Sequence, residues 1–571
     1  MKFLKWFAGI FLATIVIIFI ALYVFSKPLQ KLILHRLLVE IEATFGNYYH
    51  LEYDKIDLDI NHKKFSITLV NPKFTTDTTQ KQFIQKYPPV FFIADTVAVL
   101  GIDIKSLYFA QTVNVENVFF SNPELSYLLT NNDSLEAAQP TTQNRKQIAE
   151  ISINEIKINK GNISFMPLSN TADTVYYGEQ IDLLLSKLYI PLKDTMAIIK
   201  TSTIDNLVFA MSNVQFKPKQ SVYSYFMKHL SINLNENIVL AESINTIPNV
   251  SLLKMSRKEQ YQKTFAKATI GNIVINYIDF KKLINGEIDI KKLEVANSKI
   301  TLLRNKEKEI DTHDYKYSLQ HHLKNLGYRL KIDSVVLKNL AIDFILKFSN
   351  HPESAVIPIK NIKGLLTNVT NHIESKSKIK LTASGNIFNK GKLQFNAAFP
   401  VQQNTHTYKA TIGTMPFYEW NSLINKISPV NISDGKINQI IIEGQATDFE
   451  TNGTIIFTYS DLEVQVNKTD KKGATKKSKL VSYFANKLIY ESNPRKVNEM
   501  PETFSYYFKR ELYQGQMMLW IGGLVEGMQA TLLKKGIKQK VDKMEAEKQK
   551  GLSAAPKEKS KKIRERRRRT G

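Results

Sequence analysis

Cysteine is absent from this 571-residue chain, and that one absence excludes disulfides, thiolate metal sites and cysteine nucleophiles. Also missing are G-x-x-x-x-G-K-[ST], H-E-x-x-H and G-x-S-x-G, the usual signatures of nucleotide, zinc-protease and serine-hydrolase chemistry. The ten histidines are scattered, with His321–His322 the one adjacent pair, and adjacency alone makes a poor metal site. Asp57 and Asp59 alternate with apolar residues as the wet face of a strand, not as a general acid/base pair. Asp461 suits fixing a strand end. No catalytic residue, metal or cofactor is expected, and the chain does not read as an enzyme.

Long helical patterns are also scarce. What is abundant is alternation. From Leu51 to about Val466 the apolar residues recur with period 2, in a texture rich in isoleucine, valine, threonine and aromatics. One unit recurs within it. Residues 151–165, ISINEIKINKGNISF, carry Ile151, Ile153, Ile156, Ile158, Ile163 and Phe165. The same offsets return at 113–127, 288–302 and 330–344. The gap in I-x-I-x-x-I-x-I fits a β-bulge, and Gly161, Asn122–Pro123, Asn297–Ser298 and Asn339 are turn residues beside the next run. Each unit therefore reads as a bulged strand, a turn and a second strand. About 20 such strands at ~4.8 Å each would form a sheet on the order of 100 Å long.

The other features lie towards the two ends. Trp6 to Phe25 holds no charged side chain, and about 20 residues can cross a hydrocarbon core ~30 Å thick. No small-x-small site comes after it, so residues 1–27 read as an uncleaved signal-anchor rather than a removed signal peptide. Lys2 and Lys5 oppose Lys27, Lys31 and Arg36. The five-residue leading flank favours a short inside stub and a translocated body.

Pro28 to Gly46 reads as an amphipathic helix, either packed on the neighbouring strands or plugging one end of the β structure. Residues 221–231 and 416–427 are the best helix candidates inside the β region. Residues 131–148 and 467–479 are polar breaks. From 480 to 540, KLVSYFANKLIYES, FSYYFKRELY and MMLWIGGLVEGMQATLLKKGI read as amphipathic helices. Glycines and Glu526 interrupt the last one too much for a second membrane span.

The net charge is +25, and from Lys534 onward 16 Lys and Arg face 5 Asp and Glu, a net of +11. The 541–571 segment reads as a disordered basic tail, attracted to polyanions in general. It lacks interleaved aromatics and a nucleic-acid fold before it, so an anionic envelope component is expected rather than nucleic acid.

The anchor, the run LEYDKIDLDINHKKFSITLVNPKF, the unit VNVENVFFSNPELSYLL, and the pattern at 430–464 together resemble the AsmA-like family of envelope proteins. In the last, the matching residues are Gly435, Ile437, Gly444, Gly453, Ile455, Phe457, Tyr459, Asp461 and Leu462. The likeness spans most of residues 1–466. It implies an inner-membrane, single-pass protein of a two-membrane bacterium with its bulk in the periplasm. It also implies a mainly β fold, an elongated, curled antiparallel sheet forming a groove or gutter, that handles phospholipid between membranes, as in bridge-like lipid transfer proteins.

On that reading an apolar gutter shelters acyl chains. The candidate groove face is Ile151, Ile153, Ile156, Ile158, Ile288, Ile290, Leu293, Ile332 and Val335, positions that equally suit an ordinary core. The alternative is a membrane-tethered structural or assembly factor that binds envelope proteins through strand edges.

Overall fold

Alternating apolar and polar residues bury one side of a strand and wet the other, and the computed structural model is accordingly mainly β. It describes residues 48–537 except 62, 80–88, 107–111, 130–148, 168–174, 192–201, 219–220, 350, 373–376, 470–474, 478, 497 and 535. The expected anchor, the 28–46 helix and the 541–571 tail lie outside the described residues. Among the described residues, no helix is long and apolar enough to cross a membrane. The chain divides into two compact units, residues 1–250 with 268–293, and 251–267 with 294–571.

In the first unit β1 (Tyr49–Glu52) and β2 (Lys55–Asn61) lie against β4 (Lys73–Thr76) and β3 (Lys64–Val70) respectively. β4 and β3 then pair with β5 (Val90–Ile93) and β6 (Thr96–Asp103). These pair in turn with β8 (Glu124–Leu129) and β7 (Thr112–Ser121). The sheet continues through β9 (Glu150–Pro167), β10 (Tyr176–Pro191), β11 (Asn206–Phe216), β12 (Tyr223–Asn233), β13 (Ile238–Pro248) and β14 (Thr264–Ile278). These pairings are antiparallel, as expected of the sheet, with a local exception where β7 and β8 run parallel to β9. β15 (Glu287–Asn305) begins in this unit and ends in the second.

The second unit continues with β16 (Arg329–Lys347), β17 (Ala355–Thr370), β18 (Lys378–Ile387), β19 (Gly391–Pro400), β20 (His406–Ile412) and the two-residue β21 (Met415–Pro416). β22 (Val430–Ala446), β23 (Glu450–Thr469), β24 (Thr475–Lys477) and β25 (Thr503–Lys509) complete it. Its pairings run β16–β17–β18–β19–β20–β22–β23–β25, all antiparallel. The Asn421–Ile427 and Met517–Leu532 helices pack on the β22–β25 end.

The recurring unit is not strand, turn, strand. In three of its four copies one strand runs straight through, and the tenth residue is a left-handed step inside it. Lys160, Asn297 and Asn339 have φ of 53°, 51° and 55°, and Asn122, with φ 47°, divides β7 from β8 at the same offset. Asparagine tolerates this region because its short side chain can bond locally, and Asn339 Nδ2 donates to Asn297 Oδ1 at 3.0 Å.

Neighbouring strands kink together. Asn122 N donates to Asn159 O at 2.9 Å, and β10 answers Lys160 with its own left-handed Gln180. The register of β9 with β10 shifts there. A lone bulge would misalign two strands; a shared one keeps the apolar residues of both halves on one side.

Two segments expected to be helical are strands. Residues 223–231 of the 221–231 segment fall in β12, where the slip between Met227 and Leu230 imitates helical spacing while Tyr223, Tyr225 and Met227 alternate. FSYYFKRELY supplies β25, with Phe504, Tyr506 and Phe508 opposite Ile455, Gly453 and Thr451. Residues 416–427 are helical as read, a 3₁₀ turn (Phe417–Trp420) followed by Asn421–Ile427. The Lys479–Leu488 and Met517–Leu532 segments are also helices.

Candidate functional site

Strand register converts scattered alternation into rows. In the first unit Ile56, Leu69, Val97, Phe120 and Ile158 stand directly opposite one another in turn. The row continues through Leu183, Phe209, Ile232, Val239 and Ile275. One apolar row thus crosses ten strands. A second passes through Ile67, Val99, Val118, Ile156 and Leu185, and a third through Val214, Met227, Ile244 and Ile270.

The face these rows make changes character along the sheet. Between β3 and β10 it is a packed core: Ile67, Val99, Val118, Ile156, Leu183 and Leu185 are all buried. On β12 to β14 Met227, Leu230, Ile232, Val239, Ile244, Ile270, Ile273 and Ile275 are only half-buried. This is apolar surface held in ladder register yet left partly open.

The expected groove residues divide along the same line. Ile151, Ile153 and Ile156 are each 2% exposed and sit inside the first unit's core, with Ile158 half-buried against it. On β15 Ile290 is buried, while Ile288 and Leu293 are half-buried. In the second unit Ile332 is buried opposite Val369, and Val335 is half-buried opposite Leu366. The β12–β14 residues escaped sequence reading because the slip at Lys228 and the left-handed Ser243 (φ 50°) broke their alternation. The signal was present, one residue out of phase.

In the second unit a row from Val335 through Leu366, Leu381, Ala397 and Tyr408 reaches Gly444, Gly453 and Tyr506. Register sets Gly444 opposite Gly453, and a Cβ on either would lie 2.2 or 2.6 Å from the Tyr506 hydroxyl. Through that gap Tyr506 donates to Glu443 O at 3.1 Å, and its oxygen lies 2.8 Å from the Tyr408 hydroxyl. Burial, with the Tyr408 hydrogen bond, pushes Tyr506 well above the ordinary tyrosine value.

The Met517–Leu532 helix lies close on this end of the sheet, with Gly523 against Tyr506 and Gly527 against Ile455. Its glycines, which interrupt the apolar run in the sequence, are where the helix meets the sheet. Asp461 is a left-handed residue (φ 57°) in the middle of β23, not at its end. Its bulge is matched by Gly435 (φ 119°), where a Cβ would approach Leu462 Cα to 2.9 Å.

β15 carries Arg304 near its end, and Lys306 follows its last residue. Alternation places Arg304 and Lys306 beyond Ile300 and Leu302, with the buried Leu303 and Asn305 between. Burial and then the charge of Arg304 push Lys306 below the ordinary lysine value. Burial likewise lowers Arg304, partly offset by Asp314, and Arg304 Nε donates to Gln262 Oε1 at 3.2 Å.

The residues with side chains suited to chemistry stand apart. Asp57 pairs with Lys55 at 2.8 Å on the exposed side of β2, and the His321 ring stacks on Tyr317 with centroids 4.2 Å apart. Among the described residues no group of three His, Asp or Glu is placed to hold a metal. No protein-family model matches the chain, and no curated protein matches it.

Proposed function

We propose that the chain is a membrane-tethered β protein of the AsmA-like type. On this reading it lays phospholipid acyl chains along the half-buried apolar face of its long strands and carries them across an envelope compartment. The observation that supports this is the ten-strand apolar row from Ile56 to Ile275, unbroken in register, whose members on β12 to β14, Ile232, Val239 and Ile275, are only half-buried. An acyl chain in water costs about 0.8 kcal/mol per methylene, roughly 12 kcal/mol for a 16-carbon tail. A half-covered apolar ladder offsets most of that while the headgroup stays in water.

Arg304 and Lys306, at the end of β15, suit the phosphate of such a headgroup. The reading places the body in the periplasm, with the inner membrane and lipid as partners and the basic tail against an anionic envelope component. It needs no catalytic residue.

The test is to purify the full chain in mild detergent and quantify co-purifying lipid by mass spectrometry. Stoichiometric phospholipid is expected. Lipid no greater than that carried by an unrelated single-span protein in the same detergent sinks the proposal and leaves the strand-edge assembly role standing.

A further inference from the structure

A fourth row in the first unit is aromatic and lies at one end of the strands. Tyr127, Phe165, Tyr176, Phe216 and Tyr225 stand directly opposite one another across β8 to β12. Ring centroids are 5.8 Å apart for Tyr127 and Phe165, 5.4 Å for Phe165 and Tyr176, and 6.1 Å for Phe216 and Tyr225. The row emerges from the protein along its length. Tyr127 is 5% exposed, Phe216 is 42% and Tyr225 is 38%, and the neighbouring Val222 reaches 51%.

At its other end Tyr127 lies opposite Val90, whose amide and carbonyl both bond the Thr76 hydroxyl at 2.8 Å; Thr76 lies opposite Tyr49. Tyr49 opens β1. The uncharged run Trp6–Phe25 precedes this strand in the sequence.

We propose that this aromatic rim seats in the headgroup layer of the membrane that the N-terminal run enters, so that the half-open face of β12–β14 begins at the lipid surface. Three features converge on one occupant, the bilayer interface. Tyr127, Tyr176 and Tyr225 each present an apolar ring with a polar hydroxyl tip, the kind of side chain enriched at membrane–water boundaries, and Phe165 and Phe216 add apolar area between them. Lys217, exposed directly after Phe216, offers a cation at headgroup level. The uncharged run Trp6–Phe25, long enough to span, precedes β1 in the sequence, and Tyr49 opens β1 at this end of the strands. At the opposite end of the same strands the exposed Val208 has a polar partner, Asn233, and belongs to no such row. The proposal rests on the membrane tether of the proposed function but not on its lipid carriage.

The absence of cysteine makes the test direct. Full-length Phe216→Cys, Val222→Cys and Val208→Cys variants are labelled with an environment-sensitive fluorophore. Each is reconstituted into phosphatidylcholine–phosphatidylglycerol vesicles with and without nitroxide on the lipid headgroups. Val208 lies about 25 Å along the strand from Phe216. Headgroup nitroxide is expected to abolish most of the fluorescence at 216 and 222 and to leave 208 unchanged. Vesicle flotation with no quenching at 216 and 222, or with equal quenching at 208, overturns the rim proposal alone. Failure of the full chain to float overturns the tether on which it rests. The 222 label lies outside the strands, so a folding defect at 216 does not blunt the result.

Discussion

Trp520 donates its indole N–H to Nε2 of His406 at 2.9 Å, tying the Met517–Leu532 helix to β20. Nε2 must then be the unprotonated nitrogen, which leaves the proton on Nδ1, buried without a hydrogen-bond partner among the described residues. Burial, slightly opposed by Asp448, pushes His406 down from 6.5 to about 4. The folded state thus disfavours the proton that the unfolded state accepts. The contribution, roughly 3 kcal/mol, is complete above the unfolded value and is lost as pH falls through that window. Urea midpoints measured between pH 7 and pH 4 should fall more steeply for the parent than for His406→Phe; parallel curves would show that His406 does not titrate with unfolding.

Gly527 should tolerate no side chain of any size. A Cβ there would lie 2.7 Å from Cγ2 of Ile455, which is fully buried and has nowhere to move. Gly527→Val is expected to lower stability by about 2–3 kcal/mol through overpacking. Gly536→Ala, with no atom within 4 Å of the added carbon, should be neutral. Thermal melting of the two variants reads the difference.

The shared bulges predict a residue preference that burial alone would not. Asn339 holds φ at 55° and bonds Asn297. Asn339→Val should cost about 2 kcal/mol, because a β-branched side chain fits the left-handed region poorly, whereas Asn339→Gly should stay within about 1 kcal/mol of the parent. Equal losses for the two variants, by chemical denaturation, would mean that the side-chain bond matters and the backbone does not.

The two parts of the apolar face should answer a charge differently. Ile153 is 2% exposed, and Ile153→Asp should unfold the first unit, since a buried unpaired carboxylate costs several kcal/mol. Ile232 is half-buried, and Ile232→Asp should retain its circular-dichroism spectrum and melting cooperativity while carrying less co-purified lipid. If Ile232→Asp folds and keeps its full lipid complement, the β12–β14 face is not where acyl chains lie.

Much of this was legible along the chain. Period-2 alternation specified strands because a strand's side chains alternate by covalent geometry, whatever it packs against. The four matched units even marked the tenth position as special, since its turn residues serve a left-handed step whether the chain reverses or runs on. Local pattern went wrong where local rules conflict. In 221–231 and 503–509 a bulge or an aromatic-rich run produces helical spacing, and pairing with β13 and β23 decides for strand.

The sequence alone determined which residues are apolar, that they would lie on strands, and that no cysteine chemistry operates. Only the tertiary structure decided what those residues face. Ile153 and Ile232 look alike in the sequence, yet one is core and the other half-open, because burial depends on strands paired across long loops. The aromatic row is a further case: Tyr127 and Tyr225 are 98 positions apart in the numbering, and hydrogen-bond register, which composition does not encode, places them in one line.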